Sequence, residues 1–250
     1  YQPGDDVRAM DWRVTARSGR PHTRLFHEDR ERPVLVLADQ RNSMFFGSRR
    51  CFKSVLCAEL AALLAWSALD AGERVGAVLL DEGGPHVFRP RRSRRHLLAI
   101  LSQLAASNAA LPAPTAVRPH PLHDALARLR RVARPGTGIL LLSDFSDFGA
   151  EARQQLAGLA RHCEITAFAL EDPLERELPP PGRYALTDGD RDLLLETAAP
   201  SLRQRYRRQA RERANALATA FRELAVPLVH LSTERAPLEV LAPLFASGVP

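Results

Sequence analysis

Two apolar runs in this sequence end on a carboxylate: VLVLAD closes at Asp39 and GILLLSD closes at Asp144. Runs this apolar read as strands buried on both faces. In an open parallel sheet, ligands gather beyond the C-terminal strand ends, at the point where strand order reverses. If the two strands are neighbours, two acidic groups meet in that crevice. The plainer alternative is that each Asp caps the helix that follows it. Other catalytic patterns are missing. His86, His96, His120, His123, His162 and His230 have no zinc spacing, and no nucleophile elbow, Walker loop or dinucleotide glycine pattern is present. Pairing Ser43 with His120 or His123 as nucleophile and base has no support from spacing, so the expectation is a non-enzyme.

The elements that must position these residues follow from periodicity. A strand over 34–39 leads into a helix over about 49–70, with Phe52, Leu56, Leu60, Leu63 and Leu64 on one face. A strand over 74–81 turns at Gly83-Gly84 into an edge strand over 86–90. Helices follow over about 93–106 and from Leu122 to Val132, separated by a Pro- and Ala-rich loop. Next come the strand over 138–144, a helix around Ala152 to Ala160 and a strand over 164–170. Residues 172–199 read as a hairpin insertion turning at Asp188-Gly189-Asp190. A long helix over about 200–224 has the stripe Leu202, Tyr206, Ala210, Ala214, Leu217, Phe221 and Leu224, expected to be core. A buried strand over 226–231 and a helix over 236–246 complete the chain. Alternating strands and helices imply an α/β fold with a mostly parallel sheet covered on both faces.

Charge and composition narrow the class without choosing a partner. The net charge is +6, and Lys53 is the only lysine among 35 basic residues. Arg91 to Arg95 and Arg203 to Arg213 are arginine-rich runs that read as solvated faces. Nucleic-acid binding through the long helix is the alternative from another class, but it lacks stacking aromatics beside the basic groups. Cys51, Cys57 and Cys163 have neither metal nor disulfide spacing and read as small core residues, consistent with a reducing cytoplasmic setting. No apolar run is long enough to span a bilayer, and no signal-peptide pattern opens the chain. The chain begins on Tyr1 rather than Met, which leaves room for sequence ahead of it.

The opening segment carries a resemblance. YQPGDDVRAMDWRVTAR (1–17), PHTRLFHEDRERPVLVLAD (21–39) and SDF (143–145) resemble the domain-of-unknown-function 58 family, over essentially the whole chain. The resemblance implies a von Willebrand factor A-like, Rossmann-like domain over 33–250, with a six-stranded sheet of order 3-2-1-4-5-6. An arm over 1–32 precedes it. Asp5, Asp6, Arg8, Asp11, Arg13 and Arg17 alternate in sign there, around Trp12 as an apolar anchor. The implied strand order sets Asp39 and Asp144 on adjacent strands.

Domains of this type often hold Mg²⁺ at that point through Asp-x-Ser-x-Ser, a Thr from a later loop and an Asp from the fourth strand. Six hard oxygen ligands suit Mg²⁺. Here Asp39-Gln40-Arg41-Asn42-Ser43 keeps the first Asp and last Ser, but Arg41 replaces the middle Ser. A guanidinium has only donors and a fixed charge, so it cannot ligate a cation. The Thr is displaced as well: the expected loop reads His120-Pro121-Leu122-His123-Asp124, and Thr115 is poorly placed by spacing.

Three readings stay open. Arg41 bridges Asp39 and Asp144 in a metal-free site; a weak Mg²⁺ site survives on Asp39, Ser43 and Asp144; or the region is structural only. The expected partner surface is Asp39, Arg41, Asn42, Ser43, Asp144 and His123. The resemblance implies a protein-interaction role, as an adaptor for a MoxR-type AAA+ ATPase and its client in assembly or maturation of a protein complex. Members of the family are commonly encoded beside such ATPases.

Overall fold

The computed structural model describes residues 32–109, 120–187 and 192–246. The arm over 1–31, Thr115 and the hairpin turn at Asp188-Gly189-Asp190 lie outside the described residues. Strands β1 (Pro33–Asp39), β2 (Arg74–Asp81), β3 (Gly84–Arg91), β4 (Gly138–Ser143) and β5 (Glu164–Glu171) are joined by helices α1 (Lys53–Asp70), α2 (Arg94–Ala109), α3 (Leu122–Val132) and α4 (Ala150–Ala160). A single helical turn, α5 (Pro173–Arg176), leads to a separate hairpin of β6 (Arg183–Thr187) and β7 (Asp192–Glu196). Helix α6 (Pro200–Glu223), strand β8 (Leu228–Ser232) and helix α7 (Pro237–Ala246) follow.

The main sheet runs β3-β2-β1-β4-β5-β8, parallel except for β3. This is the expected order, with the inserted hairpin making the sixth sheet strand the eighth in the chain. Strand order reverses between β1 and β4, so the crevice lies where anticipated.

The pleat sorts the core into two layers. Leu35 and Leu37 of β1 face the layer built with α3, α4 and Phe221 of α6. Val36 and Ala38 face the layer built with α1, α2 and Leu241 of α7. On β4, Ile139 and Leu141 join the first layer, while Leu140 and Leu142 join the second.

Three local expectations need correction. Helix α1 starts at Lys53 rather than 49, leaving Phe52 exposed at its N-cap, because residues 45–52 form a tight loop first. A Cβ on Gly47 would lie 2.2 Å from the Cys51 carbonyl oxygen, so that loop closes only around a glycine. Strand β8 is an edge strand, and Leu231 is its one buried residue. In α6, only Phe221 of the expected stripe is buried, because the middle of the helix stands over a crevice instead of the sheet.

Candidate functional site

Asp39 ends β1 on the α3–α4 face, in phase with Leu35 and Leu37. Gln40 turns the opposite way, donating from Nε2 to the Ser54 carbonyl at 3.1 Å. Arg41 then folds back over the strand end. Its Nε and Nη2 donate to the two oxygens of Asp39 at 3.0 and 2.7 Å, and its backbone N–H donates to the same carboxylate at 3.1 Å. The far side of the guanidinium donates to both oxygens of Asp147 at 2.7 and 2.9 Å, and to the His120 carbonyl at 3.2 Å. Ser143 Oγ adds a 2.7 Å donation to Asp39, and Leu122 N–H a 2.9 Å donation to Asp147. Asp39 has no exposed surface and Arg41 is 5% exposed.

Burial alone would lower the pKa of Arg41. Hydrogen bonds and attraction from Asp39 and Asp147 outweigh it, and hold the guanidinium above its ordinary value. Burial likewise opposes ionisation of Asp147, but Arg41 and the Leu122 N–H hold its carboxyl below the usual range. The bridging arginine of the metal-free reading is therefore present, but its second carboxylate is Asp147, not Asp144.

Pleat parity explains the correction. Ser143 shares the face of Ile139 and Leu141 and so meets Asp39. Asp144, one residue on, continues the opposite face toward α1. There the Lys53 ammonium donates to Asp144 at 2.9 Å and to Glu175 at 2.6 Å. Lys53 is 1% exposed. Burial acts to lower its pKa, yet Asp144 and Glu175 raise it above the ordinary value. Asp144 is held low by Lys53 and the Ser146 N–H, against the burial that would raise it, with a further hydrogen-bond contribution from Ser43.

Glu175 is placed by a capping box on α5. Asp172 accepts from Leu174 N–H, and Glu175 accepts from Asp172 N–H at 2.8 Å. Asp172 is itself fixed by Ser48 and by Thr233 beyond β8. Between Asp144 and Asp147 the chain turns at Phe145, which has φ +52°. A left-handed non-glycine residue costs about 1–3 kcal/mol and persists only where its surroundings enforce it. Here the Phe145 ring packs edge-on to Phe221 at 5.0 Å, and its N–H donates to Ser143 Oγ.

The remaining expected residues divide. Asn42 and Ser43 are exposed at the mouth, where Asn42 N–H donates to Glu82. His123 is set on α3 with Nδ1 3.1 Å from Glu151, turned to a surface pair and away from Asp39. Sequence reasoning missed Lys53, Asp147, Glu175 and Ser143. Strand β2 also ends on a carboxylate, Asp81, which accepts from Gly83 N–H and Ser107 Oγ and so serves the hairpin turn.

This donor set does not fit a divalent cation. Each of the Asp39, Asp144 and Asp147 carboxylates accepts hydrogen bonds on both oxygens, and each is already paired with a buried cation, Arg41 or Lys53. Among the described residues no cluster of three or more His, Cys, Asp or Glu side chains is arranged to hold a metal. The three cysteines are free; Cys57 is fully buried, and burial pushes its thiol pKa up.

Beside the ion network a crevice of about 960 Å³ opens between the strand ends and α6. Lys53, Asp144 and Glu175 mark its polar end; Phe145, Phe148 and Leu217 are among its apolar walls. Among the described residues no helix is long and apolar enough to cross a membrane.

Comparison with known proteins agrees with this architecture. The family described as "Protein of unknown function DUF58" matches residues 1–216. Uncharacterised proteins of Mycobacterium tuberculosis (strain H37Rv) and Mycobacterium bovis are each 34% identical over 237 residues, covering 94% of this chain and 73% of theirs. Among solved structures, BatB from Bacteroides thetaiotaomicron superposes with a TM-score of 0.52 at 11% identity, over 86% of this chain and 98% of that one. An aerotolerance-related membrane protein from Bacteroides fragilis gives 0.51 at 11% identity, over 86% and 99%. The SpRpn10 VWA domain gives 0.43 at 13% identity, over 87% and 95%. By family match, overall identity and sheet order, the chain belongs to the DUF58 family and has a von Willebrand factor A-like fold.

Proposed function

We propose that this domain is a non-enzymatic protein-interaction module that works without a metal and engages its partner at the C-terminal strand ends. The observation that carries this reading is the pair of buried cations, Arg41 and Lys53, each of which holds two carboxylates at the switch point. A rim whose carboxylates are tied to side-chain cations can meet a protein surface without first losing a hydrated ion. The groups are also unsuited to turnover. Arg41 is committed to two carboxylates, and the Ser143 hydroxyl that meets Asp39 is fully buried with it, out of a substrate's reach. The exposed mouth, Asn42 and Ser43 with the edge of Asp144 behind them, is the contact surface.

The partner we infer is a MoxR-type AAA+ ATPase, with the domain acting in the cytoplasm as an adaptor toward a client complex. Co-purification of the tagged chain with such an ATPase tests this. Asn42→Arg changes an exposed side chain and should keep the wild-type melting temperature; Ser43→Arg also removes a hydrogen bond to Asp144, so its capture is compared at equal folded fraction. Each is expected to lose most of the captured ATPase. Equal recovery from wild type and both variants would move the contact elsewhere.

A further inference from the structure

The crevice beside the ion network has a composition that selects its occupant. Its wall on α6 is made of short side chains, Ala210, Ala214 and Ala220, with Leu217 between them. Those residues are too short to reach the strand ends, which is why the volume is open. Across from them stand Phe45, Phe148 and the exposed ring of Phe46. The trough follows α6 from Tyr206 to Ala220, roughly 21 Å at 1.5 Å per residue. Tyr206 anchors one end by donating from its hydroxyl to the Leu174 carbonyl at 2.7 Å.

The rim is basic. Helix α6 carries seven arginines against two glutamates. Arg203 and Arg207 pair with Glu177, and Arg208 pairs with Glu212. Arg205, Arg211 and Arg213 make no ion pair among the described residues, and Arg213 lines the crevice directly. At 100° per residue, Arg205 and Arg213 fall on the same flank of the helix as Ala216, about 12 Å apart along the axis. Two separated cations beside an apolar trough match a linear partner carrying spaced carboxylates. A compact anion would meet only one of them. A nucleic-acid backbone has no apolar face to set against Phe148 and Leu217, and would leave the trough between the cations uncovered.

We propose that this crevice receives the apolar face of an acidic amphipathic helix from a partner protein, whose flanking carboxylates meet Arg205 and Arg213. This rests on the protein-interaction reading and names the chemistry of the partner at the same strand ends. Helix-in-groove binding would use anchors at i, i+3, i+4 and i+7 against Phe148, Leu217 and the alanine wall. The rim arginines supply charge complementarity, which speeds encounter and rejects basic helices.

The test uses the whole chain and three fluorescein-labelled ligands. The first is an 18-residue peptide with Leu and Phe on one helical face and Glu elsewhere. The second replaces every Glu with Lys, and the third is a 20-nucleotide oligo-dT strand. Anisotropy should rise and saturate with the acidic peptide alone. Ala214→Trp fills the trough from an exposed position, and Arg213→Glu reverses the rim. Each should keep the wild-type melting temperature and weaken binding at least about tenfold. The Lys peptide should bind Arg213→Glu better than wild type. The proposal is overturned if Glu and Lys peptides bind wild type equally, if Ala214→Trp leaves binding unchanged, or if oligo-dT binds more tightly than the acidic peptide. No saturable binding up to about 1 mM overturns it as well. If Ala214→Trp still captures the ATPase while Asn42→Arg does not, the interaction reading stands and this one fails.

Discussion

Replacing Lys53 with methionine removes the cation between Asp144 and Glu175 while keeping most of the side-chain volume. The two carboxylates respond differently. Glu175 has a side chain 37% exposed and can turn to water, so its loss is heavily screened. Asp144 has a side chain 7% exposed and keeps only the Ser146 N–H and the Ser43 hydroxyl as donors. Removing one partner of a buried pair costs about 3–5 kcal/mol, because the other charge stays uncompensated. With the Glu175 share discounted, the lower end applies, ~3 kcal/mol. For a chain of this size that corresponds to a fall of roughly 6–12 °C in Tm. Urea denaturation at neutral pH reads the loss directly. Lys53→Met with Asp144→Asn removes the stranded charge and should recover to within about 1 kcal/mol of wild type. The reasoning is refuted if Lys53→Met alone costs under ~1 kcal/mol, the worth of an exposed pair, or if the double variant is no more stable than the single.

The other predictions concern the same network. Arg41→Ser restores the Asp-x-Ser-x-Ser pattern on paper, yet it should lose about 3 kcal/mol in urea and show no Mg²⁺ heat in calorimetry, since Lys53 still holds Asp144. A clear Mg²⁺ isotherm for that variant, or for wild type, would contradict the assignment. The contributions of Asp144, Asp147 and Lys53 should be constant from moderately acidic pH to about 10, while the buried Cys57 thiol lowers stability as pH rises above 9.0, where the unfolded thiol ionises and the folded one does not. Asp144 and Asp147 are depressed, so their contribution is complete above the ordinary carboxyl value of 3.8 and is lost as pH falls through their lower folded values. Lys53 is raised, so its contribution is complete below 10.5 and is lost as pH rises through its higher folded value. Urea midpoints measured from pH 2 to pH 11 check both limbs. Gly47→Ala should lower Tm by several degrees, because its Cβ would collide with the Cys51 carbonyl in the loop that delivers Lys53.

Much of this was legible in the sequence, and the failures have physical causes. The strand order follows from the family resemblance, and the Asp39–Arg41 contact from VLVLAD and the arginine two residues on. The partner assignment failed on parity. Leu140, Leu142 and Asp144 alternate on one face, Ile139, Leu141 and Ser143 on the other, so counting along GILLLSD would have sent Ser143 to Asp39 and Asp144 to the opposite layer. Lys53 carried a signal as the single lysine, opening the helix after the switch-point loop. Glu175 also carried one, in the Asp172-x-x-Glu175 pattern of a capping box. Asp147 did not: only the turn at Phe145 brings it back over β1, and a left-handed phenylalanine leaves no trace in residue type. The stripe on α6 was legible as apolar, but periodicity says which face is apolar without saying whether a sheet lies beneath it.

The fork of Arg41 joins β1, the loop after β4 and the segment entering α3, and Lys53 does the same for β4, α1 and α5. Sequence history is constrained by that arrangement. A descendant that acquired a cation cage here would have to give up both side chains, yet each single step strands a buried carboxylate before an ion can arrive. The two positions should be epistatic: a change at either costs less on a background already altered at Asp39, Asp144 or Asp147. The arrangement held by Arg41 and Lys53 is thus separated from a metal-holding one by a stability valley, and intermediates between them would have to cross it with reserve stability gained elsewhere in the domain.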